Sequence, residues 1–136
     1  MRNKTELLRR VNCPEQFLGR NGIQITEIGD GTAKGRMENT TATQNLLGNL
    51  HGGALSTLAD AVAAMAVCSG GQVYVTIHNT MEYLRPAGPG PVYCTARVRK
   101  AGQTIAVSEA TITDSDGREV AIGTFSFCKT DHVIPE

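Results

Sequence analysis

Between His51 and Asp60 the chain carries residues whose types and spacing could act on a carbonyl group: His51, Gly52, Gly53 and Asp60. Gly52 and Gly53 open an apolar helical stretch. The first amides of a helix have no partner within it, and they carry the positive end of its dipole. Glycine at that place lets another molecule come close to the backbone. A carbonyl oxygen gathering negative charge would be stabilised there, as in an oxyanion hole. The same residues also suit a plain glycine-rich turn with His51 as a loop histidine, and on residue types alone both readings stand.

Asp60 is the second chemical feature. Ala54, Leu55, Leu58, Ala59 and the unbroken run from Ala61 to Val67 surround it with apolar neighbours on every side of a helix. A carboxylate in such a place needs a partner, a hydrogen bond or a proton. Ser56 or Thr57 could supply a local hydrogen bond; alternatively, the carboxylate is there to act as a base. Eight residues separate Gly52 from Asp60, a distance of ~12 Å along a helix. Reacting atoms must lie ~3–3.5 Å apart. If both groups serve one reaction, they come from two chains. An antiparallel pair of helices about a two-fold axis would bring them together, and two-fold dimers are the commonest assembly.

In order and spacing, Asn45, Gly48, His51, Gly52, Gly53, Leu58 and Asp60 resemble the signature of the PaaI-type acyl-CoA thioesterases of the hotdog-fold superfamily. The resemblance continues through Val75-Thr76, Tyr83-Leu84-Arg85-Pro86-Ala87, Gly102 and Asp116-Gly117, roughly residues 20 to 128. It implies an acyl-coenzyme A substrate and no separate cofactor, coenzyme A being part of the substrate. It implies active sites at the interface of a homodimer, often within a homotetramer. Carried over position by position, it gives Asn45 and the Gly52 amide the task of polarising the thioester carbonyl. Asp60 of the facing chain becomes general base or nucleophile, and Thr76 orients the water. His51 and Gly53 shape the substrate loop. Arg85, Arg97, Arg99 and Lys100 are candidate cations for the coenzyme A phosphates, each with an alternative role as a solvated strand residue. A non-catalytic acyl-CoA sensor and a hotdog hydratase or dehydratase are the competing functions. The His-Phe-Pro-Gly type of run used by the hydratases is absent, and about twenty residues before the first strand leave no room for a DNA-binding module.

The elements that must position these residues follow from pattern. Residues 3 to 11 place Leu7, Leu8 and Val11 on one stripe, a short helix that Pro14 ends. The N-terminal helical segment extends over about residues 3–18 and the core over about 20–129 of a single domain, 1–136. Strands are expected over residues 22–28 and 32–38, separated by Gly29-Asp30-Gly31. A Thr- and Asn-rich loop covers 39–47. After the helix, Gly70-Gly71 leads into a strand over 72–85, with Val73, Val75, Ile77, Met81 and Tyr83 on one face and Thr76, His78, Thr80 and Glu82 on the other. Further strands are expected over 92–100, 104–113 and 118–128, followed by a loose tail from Asp131. The architecture is α+β: an antiparallel sheet of about six strands wrapped around one long helix, the hotdog fold that the resemblance also implies.

Composition narrows the function classes. A chain of 136 residues is long enough for one real core. Thirteen basic and thirteen acidic residues cancel, which argues against a nucleic-acid face or a charged membrane surface. The Ala-rich helix, interrupted by Asp60, reads as too short to span a bilayer. No signal-peptide core follows the N-terminus, so a cytoplasmic location is expected. Cys13, Cys68, Cys94 and Cys128 have no short spacing, and His51, His78 and His132 are scattered; neither a disulfide framework nor a metal site is expected.

Overall fold

The computed structural model describes residues 4–135. Two short helices lead in, α1 (Lys4–Val11) and α2 (Phe17–Arg20). They are followed by β1 (Ile23–Ile28), β2 (Thr32–Met37), α3 (Gly52–Val67), β3 (Gln72–Tyr83), β4 (Val92–Ala101), β5 (Ile105–Thr113) and β6 (Glu119–Val133). The strands form one antiparallel sheet in the order β1-β2-β4-β5-β6-β3. Helix α3 lies across it and touches all six strands. This is the hotdog arrangement, α+β as expected.

Small residues on the concave face set how closely the helix packs. Ala33, Gly35, Cys94, Ala96, Ala106 and Ala110 are all buried there. A Cβ on Gly35 would lie 2.8 Å from Val62 Cγ2, so this strand position admits the helix only as glycine. Where the strands open out, Met37, Ile112, Phe125 and Phe127 fill the volume and are fully buried. The alternation expected in β2 and β4 holds: Ala33, Gly35 and Met37 face inward, as do Val92, Cys94 and Ala96.

Three expectations need correction. The helix does have an uncovered side. Ser56, Thr57, Asp60, Ala64 and Val67 are half-buried and Gly53 is exposed, and the spacing 53, 57, 60, 64, 67 makes one stripe along the cylinder. Its length is also greater than expected. With the 3-10 turn Cys68–Gly70 it runs 19 residues and is long and apolar enough to cross a membrane, by length and composition only. Its contacts with every strand mark it instead as the core helix of this sheet. The C-terminal segment is no tail as far as Val133. Val133 pairs with Gln72, and the Gln72 side-chain amide donates to the carbonyls of Thr130 and His132 at 2.6 and 2.7 Å. Glu136 and Asn3 lie outside the described residues.

The strand after the helix departs most from its expected alternation. Thr76 pairs with the buried Phe127, then the register slips, and His78 pairs with Ser126. This bulge places an extra residue at Ile77 and exchanges the two faces of the strand. Before it, Tyr74 and Thr76 share a face with the helix; after it, Asn79, Met81 and Tyr83 do. Val75 and Ile77 are therefore 51 % and 56 % exposed instead of forming one apolar face with Met81.

The sheet's two edges differ. At β1, the Asn12 side chain donates to the Ile25 carbonyl and accepts from the Ile25 amide, both at 2.8 Å. A side-chain amide thus satisfies the strand as a neighbouring peptide would, and α1 and α2 pack over that edge. At β3 no further strand lies beyond among the described residues, and Val75, Ile77, Tyr83 and Leu84 are exposed.

Candidate active site

The start of α3 leaves one amide free. His51 sits at the N-cap in an extended conformation, and its Nδ1 accepts from the Gly53 amide at 2.9 Å. The amides of Ala54 and Leu55 both donate to the His51 carbonyl, at 2.9 and 3.0 Å. Among the described residues nothing accepts from the Gly52 amide. His51 and Gly53 therefore satisfy each other, and Gly52 alone of the first three amides faces outward unpartnered. The Tyr83 ring covers one side of it: a Cβ at Gly52 would lie 3.6 Å from Cε1 and 3.7 Å from Cζ, ordinary contact.

Asn45 stands at the foot of the preceding loop. Gln44 forms a bridge with Leu50, and the loop between them turns back tightly. The Asn45 Oδ1 accepts from the amides of Leu47 at 2.9 Å and Asn49 at 3.2 Å, while its own amide donates to the Asn49 carbonyl at 2.7 Å. Two backbone donors thus fix which end of the side-chain amide is oxygen. The Nδ2 end is left as a donor on an exposed residue.

Asp60 has a partner other than the local ones expected. Thr57 donates to the Gly53 carbonyl at 2.8 Å and so serves the helix itself. The bond to Asp60 comes from Thr76 on β3, whose hydroxyl donates to Oδ1 at 2.7 Å. The β3 bulge is what makes this possible, because Thr76 lies just before it, on the helix-facing side. The carboxylate is only half-buried, and it lies on the uncovered stripe of α3 where that stripe meets the open edge of the sheet. Helix geometry keeps it ~12 Å from the Gly52 amide of its own chain.

The candidate phosphate cations are scattered. Arg85 follows β3 at the same end as Gly52 and is exposed. Arg97 pairs with Glu109 across β4 and β5, on the face away from α3, and Arg99 forms an ion pair with Glu109 at 3.1 Å. Lys100 follows the bulge in β4. With β5 and β6 between β4 and the β3 edge, Arg97 and Arg99 are not brought to Gly52 within the protomer. The four cysteines are free. Burial pushes the Cys94 thiol up to about 12, and burial also raises Cys68, against a smaller opposing effect of its hydrogen bond with the Tyr74 backbone.

Comparison with known proteins decides the family. Residues 47–121 match the Thioesterase superfamily. A putative esterase of Mycobacterium tuberculosis, Rv1847, is 30 % identical over 120 residues, covering 83 % of this chain and 85 % of that protein. The chain belongs to the hotdog-fold thioesterase superfamily. Within it, the chain is close to the PaaI-type acyl-CoA thioesterases. Acyl-coenzyme A thioesterase PaaI of Escherichia coli is 33 % identical over 102 residues, covering 74 % of this chain and 73 % of PaaI. The solved structure of Escherichia coli PaaI superimposes with a TM-score of 0.88, at 27 % identity, over 98 % of both chains. A Streptococcus mutans protein whose structure holds acetyl CoA superimposes with a TM-score of 0.77 at 25 % identity, covering 83 % of this chain and 91 % of that one. Membership in the superfamily makes this chain a thioester hydrolase by family.

Two features lie beside the candidate residues without a sequence motif that announces them. The strand pattern around Tyr83 carries no sign that its ring reaches Gly52. Leu46 and Leu47 project from the loop beside Asn45. Two adjacent leucines inside a Thr- and Asn-rich loop were the available signal, since an apolar pair in a polar turn asks for something to cover it.

Proposed function

We propose that this thioesterase hydrolyses the thioester of an acyl-coenzyme A in a site built from two chains. The Gly52 amide and Asn45 Nδ2 of one protomer hold the carbonyl oxygen and stabilise the charge that develops on it. Asp60 of the other takes a proton from water, or attacks directly, while Thr76 holds the carboxylate by its Oδ1 and leaves Oδ2 for the reaction. The thiolate of coenzyme A leaves without needing a strong acid. The observation that carries this reading is the position of the Asp60–Thr76 pair, on the stripe of α3 and beside the sheet edge that the described residues leave uncovered. A second copy laid antiparallel across that stripe would bring its own Gly52 to Asp60 and extend the sheet at β3.

Subunit mixing tests it. Asp60→Asn chains and Asn45→Ala chains, each crippled alone, form heterodimers in which one site carries both lesions and the other neither. Free thiol released from acyl-CoA should reappear on mixing. Confirmed subunit exchange with no recovered activity refutes the assignment of the two residues to opposite chains. Acyl-CoA binding without thiol release by the wild type would favour the sensor.

A further inference from the structure

The loop that presents Asn45 also presents two leucines with nothing around them. Leu46 is fully exposed and Leu47 is 84 % exposed. The turn beneath them is ordered. Asn45 Oδ1 ties down the Leu47 and Asn49 amides, the Gly48 amide donates to the Asn45 carbonyl at 3.1 Å, and Leu50 is tied to Ala87 by a backbone bond of 2.8 Å. Gly48 closes the turn at φ +81°, a conformation suited to glycine. The leucines are therefore held out by a built turn. Together with Gln44, Asn45 and His51 they line an open concavity of about 580 Å³. No Asp, Glu, Lys or Arg lines it.

We infer that Leu46 and Leu47 form the wall against which the acyl group packs, and that they select uncharged apolar acyl chains of several carbons over acetyl and over acyl groups ending in a carboxylate. The inference rests on the hydrolase reading above. Asn45 and the two leucines line the same concavity, so a thioester whose carbonyl oxygen meets Asn45 Nδ2 has the leucine wall within that hollow. Each methylene that leaves water against the leucines strengthens binding about 4-fold. A terminal carboxylate would lose water there and gain no cation, which costs affinity.

The test uses the full-length protein, with acetyl-, hexanoyl-, octanoyl- and succinyl-CoA as probes. Thiol release gives kcat/KM for the wild type, for a double variant Leu46→Asn with Leu47→Asn, and for Leu46→Met with Leu47→Met. In the wild type, kcat/KM should rise from acetyl to octanoyl, with succinyl-CoA below hexanoyl-CoA. The octanoyl-to-acetyl ratio should fall at least 10-fold in the asparagine pair and survive in the methionine pair, whose side chains stay apolar. Light scattering should give one oligomeric state for all three. An unchanged ratio in the asparagine pair overturns the inference while leaving the hydrolase reading intact. So does a change of assembly in that pair, which would show that a second chain covers the leucines. Benzoyl-CoA, an aromatic fifth probe, separates the two readings: a wild type that releases thiol from it and from none of the other four overturns the inference alone, and release from none of the five refutes the hydrolase reading, with which the inference falls.

Discussion

Replacing Asp60 by asparagine separates catalysis from architecture because of what the structure puts next to it. If Asp60 serves only as an acceptor for the Thr76 hydroxyl, an amide oxygen in the same place can take that bond at the same 2.7 Å. What changes is the strength of the bond. A hydrogen bond to a charged group contributes about 1.5–3 kcal/mol and a neutral one about 0.5–1.5, so the loss is near 1 kcal/mol. It is smaller here because the pair is partly exposed and screened. In a dimer that covers Asp60, removing a buried charge offsets some or all of it. For a chain of this size Tm should then move by less than about 4 °C. Turnover should behave differently. Without a group to take the proton from water, kcat should fall by about 10² or more, with KM little changed. The assay is thiol release under saturating acyl-CoA, with calorimetry on the same samples. A variant that keeps turnover within a few-fold of the wild type makes Asp60 a structural acceptor and ends the proposed chemistry. A variant that loses 10 °C or more in Tm refutes the local geometry from which the estimate was worked.

Gly52→Ala should be well folded and poorly active: the added Cβ makes only ordinary contact with Tyr83, and alanine is the better helix former by up to about 1 kcal/mol. Thermal melting should show equal or higher stability, while kcat falls because the methyl crowds the carbonyl's approach; wild-type kinetics would remove this amide from the site. The cysteines should divide in two under a disulfide-forming thiol reagent at pH 8. Cys94, fully buried and pushed up to about 12, has about one thiolate in 10⁴ at that pH, and the buried Cys68 should resist as well. Cys13 and Cys128 should react in the folded protein, and rapid labelling of all four would contradict the packing under α3.

Much of the fold was legible in the sequence because its strands alternate where one face is buried. Ala33, Gly35 and Met37 on β2, and Val92, Cys94 and Ala96 on β4, declare the concave face directly. The strand after the helix did not, for two physical reasons. It lies at an edge, where neither face needs to be uniformly apolar, and a bulge at Ile77 reverses its faces midway. Helix α3 misled in another way. Alanine is apolar enough to look buried everywhere, so composition concealed the stripe through Thr57, Asp60 and Ala64 that the sheet does not reach. The motif from Asn45 to Asp60 is a run of near neighbours, but the partners of its residues depend on contacts between distant segments. Thr76 reaches Asp60 and Tyr83 reaches Gly52 only once β3 is laid beside α3. The imidazole cap of His51 on Gly53 is a bond between near neighbours, yet histidine is not among the residues usually expected at an N-cap.

The unequal edges of the sheet have a consequence for polymerisation. A sheet with two open edges is bifunctional: each added copy offers a fresh end, and growth runs on into a fibre. Here Asn12 occupies the peptide groups of Ile25, so the β1 side offers no free valence at its centre. The β3 side, with no strand beyond it among the described residues, is the more open end. A monofunctional unit terminates itself, because joining two open ends leaves none. A protein with exposed Val75 and Ile77 on a strand twelve residues long is thus guarded against endless edge-to-edge stacking at the far side of the molecule, by Asn12 and the two helices packed over β1.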